Sequence, residues 1–137
     1  MNGGRAVANI KGAINFEKEL RRLLDEYGIE VRKIANDYVE EAADIAVKML
    51  KKDSKQRTGE YASDWDKKQQ YYRGLGTAYV VYNKKHYRLT HLLENPHVKK
   101  DRNRVEHGKT EGDHVISDTR NYTESWLLDN IMKGLQL

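Results

Sequence analysis

Apolar residues recur at every third or fourth position through the first third of the chain, which is the spacing of one face of an α-helix. The stripe consists of Phe16, Leu20, Leu23, Tyr27, Val31, Ile34, Tyr38, Ala42, Ile45 and Met49. It is widened into a face by Leu24, Ala35, Val39, Ala46 and Leu50. Asn15 is a favourable N-cap residue, and two glutamates follow it in the first turn. The pattern predicts one long helix from residue 16 to residue 50, with a bend or a break at Gly28 and Ile29.

The hydrophobic period then shortens to that of β-strands. Thr58-Gly59 gives the chain a flexible joint, and alternation from Tyr61 to Lys67 predicts a strand that continues toward Tyr72. Gly74-Leu75-Gly76 predicts a hairpin, and the β-branched and aromatic run from Tyr79 to Tyr82 predicts the next strand. The two strands should pair antiparallel, with the second one central in a small sheet.

Two further helices are predicted beyond the sheet. Tyr87 to Glu94 has helical spacing and is ended by Asn95-Pro96, because the residue before a proline is disfavoured in a helix. The polar stretch 98–113 predicts a loop, with room for a short strand at Arg104-Val105. Asp118 or Thr119 can cap a last helix. Its apolar positions are Tyr122, Trp126, Leu127, Ile131 and Leu135.

These elements predict an α+β fold in one domain. Residues 1–15 contain three of the ten glycines and have little periodicity, so we expect a flexible N-terminal arm before a domain over 16–137. The predicted order is a long N-terminal helix, a small antiparallel β-sheet, a short helix after the central strand, and a C-terminal helix packed on the sheet.

Composition suggests a protein that buries surface against neighbours. The chain has 137 residues, of which 38% are hydrophobic and 34% are charged, which suits a thin fold or a subunit of an assembly. It contains no cysteine, which excludes disulfides and thiolate metal sites and makes a reducing compartment the simpler expectation. Neither a signal peptide nor an apolar run of membrane-spanning length is present, so a cytosolic product is expected.

Charge is distributed unevenly along the chain. Between Lys48 and Lys109 there are 16 lysines and arginines against 7 acidic residues, whereas the flanks hold 9 against 14. The middle is therefore basic and the two ends are acidic. This asymmetry fits a face turned toward nucleic acid, and it fits contact between the basic centre of one subunit and the acidic helices of the next.

Candidate catalytic and metal chemistry is weak. His91, His97, His107 and His114 with Glu94 invite a metal hypothesis, but their spacing is not that of zinc proteases and no cysteine supports it. Asp64, Asp66 and Glu94 could form a magnesium site of a nuclease, but the spacing of Asp64 and Asp66 on a strand favours solvated carboxylates over such a site. We expect no catalytic residue, no metal and no cofactor.

Two other functions fit the basic middle and the long helix. A small DNA-binding or nuclease-like module could use the lysines together with tyrosines at 71, 72, 79, 82 and 87 as stacking groups. Tyrosines that alternate on strands more often cover a half-buried sheet. A dimerisation domain of a toxin-antitoxin or regulator system could be built on the long helix.

Three sequence segments resemble the motifs of a known family. Thr58-Gly59 follows the long helix, Arg88-Leu89-Thr90-His91-Leu92-Leu93-Glu94-Asn95-Pro96-His97 follows the central strand, and His114-Val115-Ile116-Ser117-Asp118 precedes the last helix. They resemble the phage head-tail joining proteins, the neck and tail-completion family typified by the gene product ten of a lambdoid long-tailed phage. Pro96 replaces the family's usual glycine, and Ser117-Asp118 replaces a Pro-Ala pair.

The resemblance implies a structural virion protein and no enzyme activity. The expected subunit is a neck or tail-completion protein that forms an oligomeric ring, a hexamer as in the family, at the head-tail junction after assembly in the host cytoplasm. Its partners would be itself, other neck, head-closure or tail proteins, and DNA without sequence specificity, with no membrane contact. The family-motif residues are Thr58, Gly59, Arg88, Leu89, His91, Leu92, Glu94, His97 and His114. Expected contacts to subunits or DNA are Lys51, Lys52, Lys55, Arg57, Lys99, Lys100, Arg102 and Arg104.

Overall fold

A computed structural model describes residues 12–54, 59–86, 97–100, 106–110 and 114–136. The helices are α1 (Glu17–Tyr27), α2 (Glu30–Asp53), α3 (Glu60–Ser63) and α4 (Val115–Gly134). The strands are β1 (Ile14–Asn15), β2 (Trp65–Tyr72), β3 (Gly76–Asn83), β4 (His97–Lys100) and β5 (Glu106–Thr110). The predicted α+β class is confirmed by this arrangement of a long helix, a small antiparallel sheet, a short helix and a C-terminal helix.

The main sheet has three antiparallel strands in the order β1, β3, β2. Its register pairs Trp65 with Asn83 at one end of β2 and β3 and Tyr72 with Gly76 at the other. The connection between them turns at Gly74, whose φ of 81° is in the left-handed region that glycine tolerates best. The predicted hairpin and the central position of residues 79–82 are therefore confirmed.

The long N-terminal helix breaks where the sequence predicted. Gly28 has φ 89° and separates α1 from α2, while its N–H still donates to the carbonyl of Leu24 at 2.8 Å. The N-cap residue of α1 is Phe16 and not Asn15 as expected, although the Oδ1 of Asn15 still accepts the N–H of Glu17 at 2.9 Å. The helix itself begins at Glu17, and Asn15 also pairs with Val80 as part of β1.

The core lies on both sides of α2, which contacts β2, β3, α1 and α4. The buried residues of α2 are Val31, Ala35, Val39, Ala42, Ala43, Ala46 and Leu50. On the α4 side, Tyr38 packs edge-to-face against Trp126 with ring centroids 6.1 Å apart. On the sheet side, Glu40 and Asp44 reach Lys67 of β2. The principal partner of the C-terminal helix is therefore α2, which links it to the sheet.

Several predicted boundaries were wrong. Residues 14 and 15 belong to the domain and not to the arm, because they form β1 and Ile14 is fully buried. Tyr61 lies in the short helix α3, so β2 begins only at Trp65. The last helix begins at Val115 and not at Asp118.

Two residues of the predicted apolar stripes are largely exposed. Tyr27 is 40% exposed and Tyr122 is 55% exposed, because neither tyrosine belongs to the buried face of its helix. In α4 that face is formed by Ile116, Thr119, Thr123, Leu127 and Ile131. The predicted helix from Tyr87 to Glu94, the rest of the arm (residues 1–11) and the stretch 101–105 lie outside the described residues. The prediction of a loop over residues 98–113 was wrong in part, because β5 and most of β4 lie within it; the two strands flank the stretch 101–105 and pair antiparallel as a separate ribbon.

We predict that Gly134→Ala destabilises the protein, although alanine normally favours a helix by about 1 kcal/mol over glycine. A Cβ at residue 134 would lie 2.6 Å from Cγ2 of Ile34, a β-branched side chain with little freedom to move away. The free energy of unfolding in urea should fall for Gly134→Ala. Ile34→Ala removes the side-chain atoms that this Cβ would meet. In the Ile34→Ala background, Gly134→Ala should therefore no longer lower the free energy of unfolding. A gain in stability from Gly134→Ala would contradict the close packing of α2 against α4.

Candidate assembly surface

One end of the sheet holds the described residues that border segments 55–58 and 87–96. α2 ends beside Ser54, the chain resumes at Gly59 before α3, and β3 ends three residues before His86. We call the side chains that join these points the anchor cluster. It consists of Ser54, Tyr61, Asp64, Trp65, Asn83 and His86. Ser54 and Gly59, on either side of the first segment, and His86, before the second, are thus held in one packed unit.

A buried indole connects α2 to the sheet within the anchor cluster. Trp65 is 1% exposed, and its Nε1 donates to the Oγ of Ser54 at 2.8 Å. The ring of Tyr61 packs edge-on against the indole with centroids 5.7 Å apart. Since a buried polar group without a partner is costly, this hydrogen bond fixes the end of α2 relative to β2.

Asn83 connects the other parts of the anchor cluster. Its Nδ2 donates to the carbonyl of Tyr61 at 2.8 Å, and its Oδ1 accepts the N–H of His86 at 2.9 Å. The Nε2 of His86 lies 3.5 Å from Oδ2 of Asp64, a distance beyond a good hydrogen bond but within that of an ion pair when the histidine is protonated. The amide of Asn83 therefore holds α3 and the chain after β3 in fixed positions.

The structure brings one family-motif residue to the anchor cluster. Gly59 has φ 81° at the start of α3, and its carbonyl accepts the N–H of Ser63 at 3.0 Å. His97 begins β4, and His114 stands exposed before α4 with φ 55°. The other motif residues lie outside the described residues: Thr58, Arg88, Leu89, His91, Leu92 and Glu94.

Exposed lysines surround the anchor cluster. Lys51 and Lys52 lie on the last turn of α2, where cations complement the helix dipole. Lys84 and Lys85 are exposed directly after β3, and the N–H of Lys84 donates to the carbonyl of Asp64 at 3.0 Å. Of the remaining expected contact residues, Lys99 and Lys100 lie on β4. Four fall outside the described residues: Lys55, Arg57, Arg102 and Arg104.

The predicted acidic pair does not form a shared site. Asp64 lies in the turn after α3, and Asp66 lies on β2, where its Oδ1 accepts the N–H of Lys67 at 2.8 Å. Glu94 and His91 lie outside the described residues. Among residues 12–54, 59–86 and 114–136, no three His, Asp or Glu side chains come together as a candidate metal site.

The tyrosines of the sheet do not share one stacking surface. Strand alternation puts Tyr71 and Tyr79 on one face of the sheet and Tyr72 and Tyr82 on the other. Tyr72 accepts a hydrogen bond from Asn15 at 2.8 Å, and burial raises the pKa of its hydroxyl. Burial also raises the pKa of Tyr79, which lies beneath the ammonium of Lys67.

Lys67 makes the main polar link between α2 and the sheet. Its Nζ lies 2.7 Å from Oε2 of Glu40 and 2.7 Å from Oδ1 of Asp44. Burial lowers the pKa of Lys67, but hydrogen bonds to Asp44 and Glu40 outweigh this effect and raise it overall. The ammonium therefore stays charged and fixes β2 against the acidic side of α2.

A charged cleft of about 640 Å³ separates α1 from α4. Its lining residues are Asn15, Lys18, Glu19, Arg22, Arg120 and Glu124. Arg22 is engaged by Glu19 at 2.8 Å and by Glu26 at 3.2 Å on its own helix. Burial, together with repulsion from Glu19, raises the pKa of Glu124. The cleft contains both signs of charge and has no clear preference for one kind of ligand.

A family model described as "Bacteriophage HK97-gp10, putative tail-component" matches residues 17–95, which is more than half of the chain. The chain belongs to this bacteriophage family. The matched residues of this chain begin at α1 and include α2, β2, β3 and the whole anchor cluster. The resemblance seen in the sequence is thereby confirmed, and the protein is a phage tail component. No curated protein and no solved structure matches the chain.

Membership of this family places the protein in the virion. No helix in the described part of the chain is long and apolar enough to cross a membrane. Sequence reasoning missed Ser54, Asn83 and His86 as members of the anchor cluster. Asn83 carries a usable signal in the sequence, because it is a polar residue directly after the apolar run from Tyr79 to Tyr82.

Ser54→Ala should lower the free energy of unfolding by about 1–3 kcal/mol, because it leaves the buried indole N–H of Trp65 without its acceptor. Trp65→Phe removes both the donor and part of the packing. A double-mutant cycle in urea should give a favourable coupling between the two side chains, with Ser54→Ala nearly neutral in the Trp65→Phe background. Equal effects of Ser54→Ala in both backgrounds would contradict the role of this hydrogen bond.

Glu124→Gln should change stability in a pH-dependent way. Because the folded protein raises the pKa of Glu124 above its ordinary 4.5, the contribution of this group is fully present below that value and is lost as pH rises through the folded pKa. We therefore expect the variant to gain stability relative to the wild type between pH 4.5 and neutral pH, measured by thermal unfolding. Glu41→Gln removes the same charge from an exposed position of α2 and is the control. A difference that does not change with pH would contradict the pKa shift.

Proposed function

We propose that this phage tail component is a neck or tail-completion subunit that forms a homo-oligomeric ring, a hexamer, at the head-tail junction. The observation that carries the proposal is the anchor cluster in a chain of this family. It fixes Gly59 and the described residues that border both motif-bearing segments, 55–58 and 87–96, at one end of a single frame. Such an arrangement suits contacts with other proteins, because Ser54 and His86, which border these segments, are held by buried or partly buried hydrogen bonds.

The two ends of α2 differ in charge, which suits a subunit of a ring. α2 is about 36 Å long at 1.5 Å per residue, and its last turn lies beside the anchor cluster and its exposed lysines. At its opposite end, Asp25, Glu26 and Glu30 are exposed around the break between α1 and α2. Contacts between unlike surfaces of identical subunits are heterologous, and a closed set of them generates a ring.

The partners in this proposal are other copies of the chain and neighbouring neck, head-closure or tail proteins. The family-motif residues would lie at these contacts, and the basic residues of the middle would face either the next subunit or the DNA passing through the ring. A ring around DNA needs positive charge but no contacts with base edges. The role proposed is structural, with neither a catalytic group nor a cofactor.

The first test is the mass of the protein in solution, measured by light scattering over a concentration series at low and at moderate salt. We expect a closed species of about six subunits of 16.0 kDa that dissociates as salt rises, because charge pairs at an exposed interface are screened. A monomer or a discrete dimer at every concentration would contradict the proposed ring.

A charge-reversal pair tests the anchor-cluster end of the molecule. Lys84→Glu with Lys85→Glu should weaken assembly at low salt, because both residues are exposed beside the anchor cluster. Lys18→Glu with Lys33→Glu, which makes the same change of charge at two exposed residues of α1 and α2 outside the anchor cluster, should have a smaller effect. Equal effects of the two changes would show that net charge and not this surface controls assembly. Tight duplex DNA binding by a monomer, with a steep salt dependence, would favour a DNA-binding module instead.

A further inference from the structure

The main sheet ends on one side at β2, an edge strand of eight residues. No strand in the described ranges pairs with its outer edge. An exposed strand edge presents backbone N–H and C=O groups that can pair with another strand. Whether β2 can accept a further strand depends on which of its backbone groups point outward.

The hydrogen bonds of β3 identify these groups. The carbonyl of Val81 accepts the N–H of Ala13 at 2.8 Å on the β1 side. Val81 is the partner of Lys67, so this pair is not hydrogen-bonded and the backbone groups of Lys67 point away from the sheet. Alternation then directs the backbone groups of Gln69 and Tyr71 outward as well.

The outer edge is accessible at the second half of β2. Lys67 directs its N–H to the carboxylate of Asp66 at 2.8 Å, which protects the first half. Gln69 and Tyr71 are exposed, and the tyrosine is 55% accessible. Their outward N–H groups have no partner among the described residues. The accessible edge is therefore centred on residues 69–71.

The same chain contains a ribbon that lacks a packing partner. β4 and β5 pair with each other, and within the described part of the chain they make no extensive contact with any other element. A two-stranded ribbon alone is at best marginally stable in water, and it needs a third strand or a packing surface. The ribbon and the edge of β2 could therefore each be completed by pairing with a further β-strand.

Charge favours a contact between the ribbon of one copy and the β2 side of another. Glu40 and Asp44 of α2 both contact Lys67 of β2, and helical spacing puts Asp37 and Glu41 on the same face, with Lys33 and Lys48 at its two ends. The centre of this face is therefore acidic. The sequence of the ribbon carries Lys99, Lys100 and Lys109 against Glu106. A ribbon that approaches the β2 edge would bring its lysines beside the acidic side of α2.

We propose that the β4–β5 ribbon of one copy adds to the β2 edge of a second copy and extends its sheet across the subunit interface. This inference rests on the proposed ring and specifies how its subunits join. The ribbon and the β2 edge are different surfaces of one chain, so each copy can donate a ribbon to one neighbour and accept a ribbon from another. Such a contact is heterologous and can close into a ring.

The test removes one outward donor from β2. Gln69→Pro deletes an N–H that makes no bond within the sheet, so β2 and β3 can still pair. The matched control is Gln69→Thr, which keeps the N–H and favours a strand. Light scattering should show association at least about tenfold weaker for Gln69→Pro, which corresponds to about 1.4 kcal/mol, and little change for Gln69→Thr. Circular dichroism and thermal unfolding show whether each variant remains folded.

Hydrogen exchange of the wild-type chain gives an independent result that needs no variant. The amides of Gln69 and Tyr71 should exchange rapidly in dilute monomer and become protected as assembly proceeds. If folded Gln69→Pro assembles as the wild type does, and the amides of Gln69 and Tyr71 stay unprotected in the assembled wild-type chain, the strand-addition contact is overturned and the ring is left intact. Failure of the wild-type chain to assemble at any concentration or salt overturns both the ring and this contact.

Discussion

The burial of α2 on two sides is the constraint on which the structure depends. A helix of 24 residues packed on a three-stranded sheet alone would leave much of its surface uncovered. Its buried positions include four alanines, Ala35, Ala42, Ala43 and Ala46, whose small side chains let neighbouring elements approach closely. α4 covers one side and β2 with β3 cover another, so the helix becomes the centre of the domain. Every other described element is positioned relative to it, apart from the β4–β5 ribbon.

Local chemistry made a large part of this fold predictable. Gly28 breaks the first helix and Gly74 turns the hairpin because each adopts a left-handed φ that other residues resist. The strand over residues 79–82 was predictable because β-branched and aromatic residues favour a half-buried sheet. β1 was missed because two residues carry no recognisable period, and only pairing with Val80 and Val81 makes them a strand.

The C-terminal helix was harder to predict because its buried face is partly polar. Thr119 and Thr123 are almost fully buried, and the hydroxyl of Thr123 donates to the carbonyl of Thr119 at 2.8 Å. A threonine that satisfies its hydroxyl on its own helix can replace an apolar residue in the core. The hydrophobic pattern therefore gave Tyr122 a buried position that Thr119 and Thr123 occupy in the structure.

Some residues of the candidate site could be predicted from the sequence and others could not. Gly59 was found from its resemblance to a family motif, whereas Ser54 and Asn83 were not found, because their importance lies in partners 11 and 22 residues distant. Sequence spacing cannot show that an indole, an amide and a serine hydroxyl meet at one end of a sheet. Described residues of three elements meet in the anchor cluster, next to the motif-bearing segments that the proposed function places at contacts with other proteins.

The proposed function places this phage tail component at the head-tail junction as a ring. The most direct measurement is electron cryo-microscopy of particles of the phage that encodes it, with symmetry imposed only after the neck has been aligned separately from the capsid and the tail. We expect a closed ring of density at the junction into which α1, α2, α4 and the three-stranded sheet fit, with one copy per repeat. Density for this domain along the tail tube or at the tail tip, and none at the junction, would contradict it.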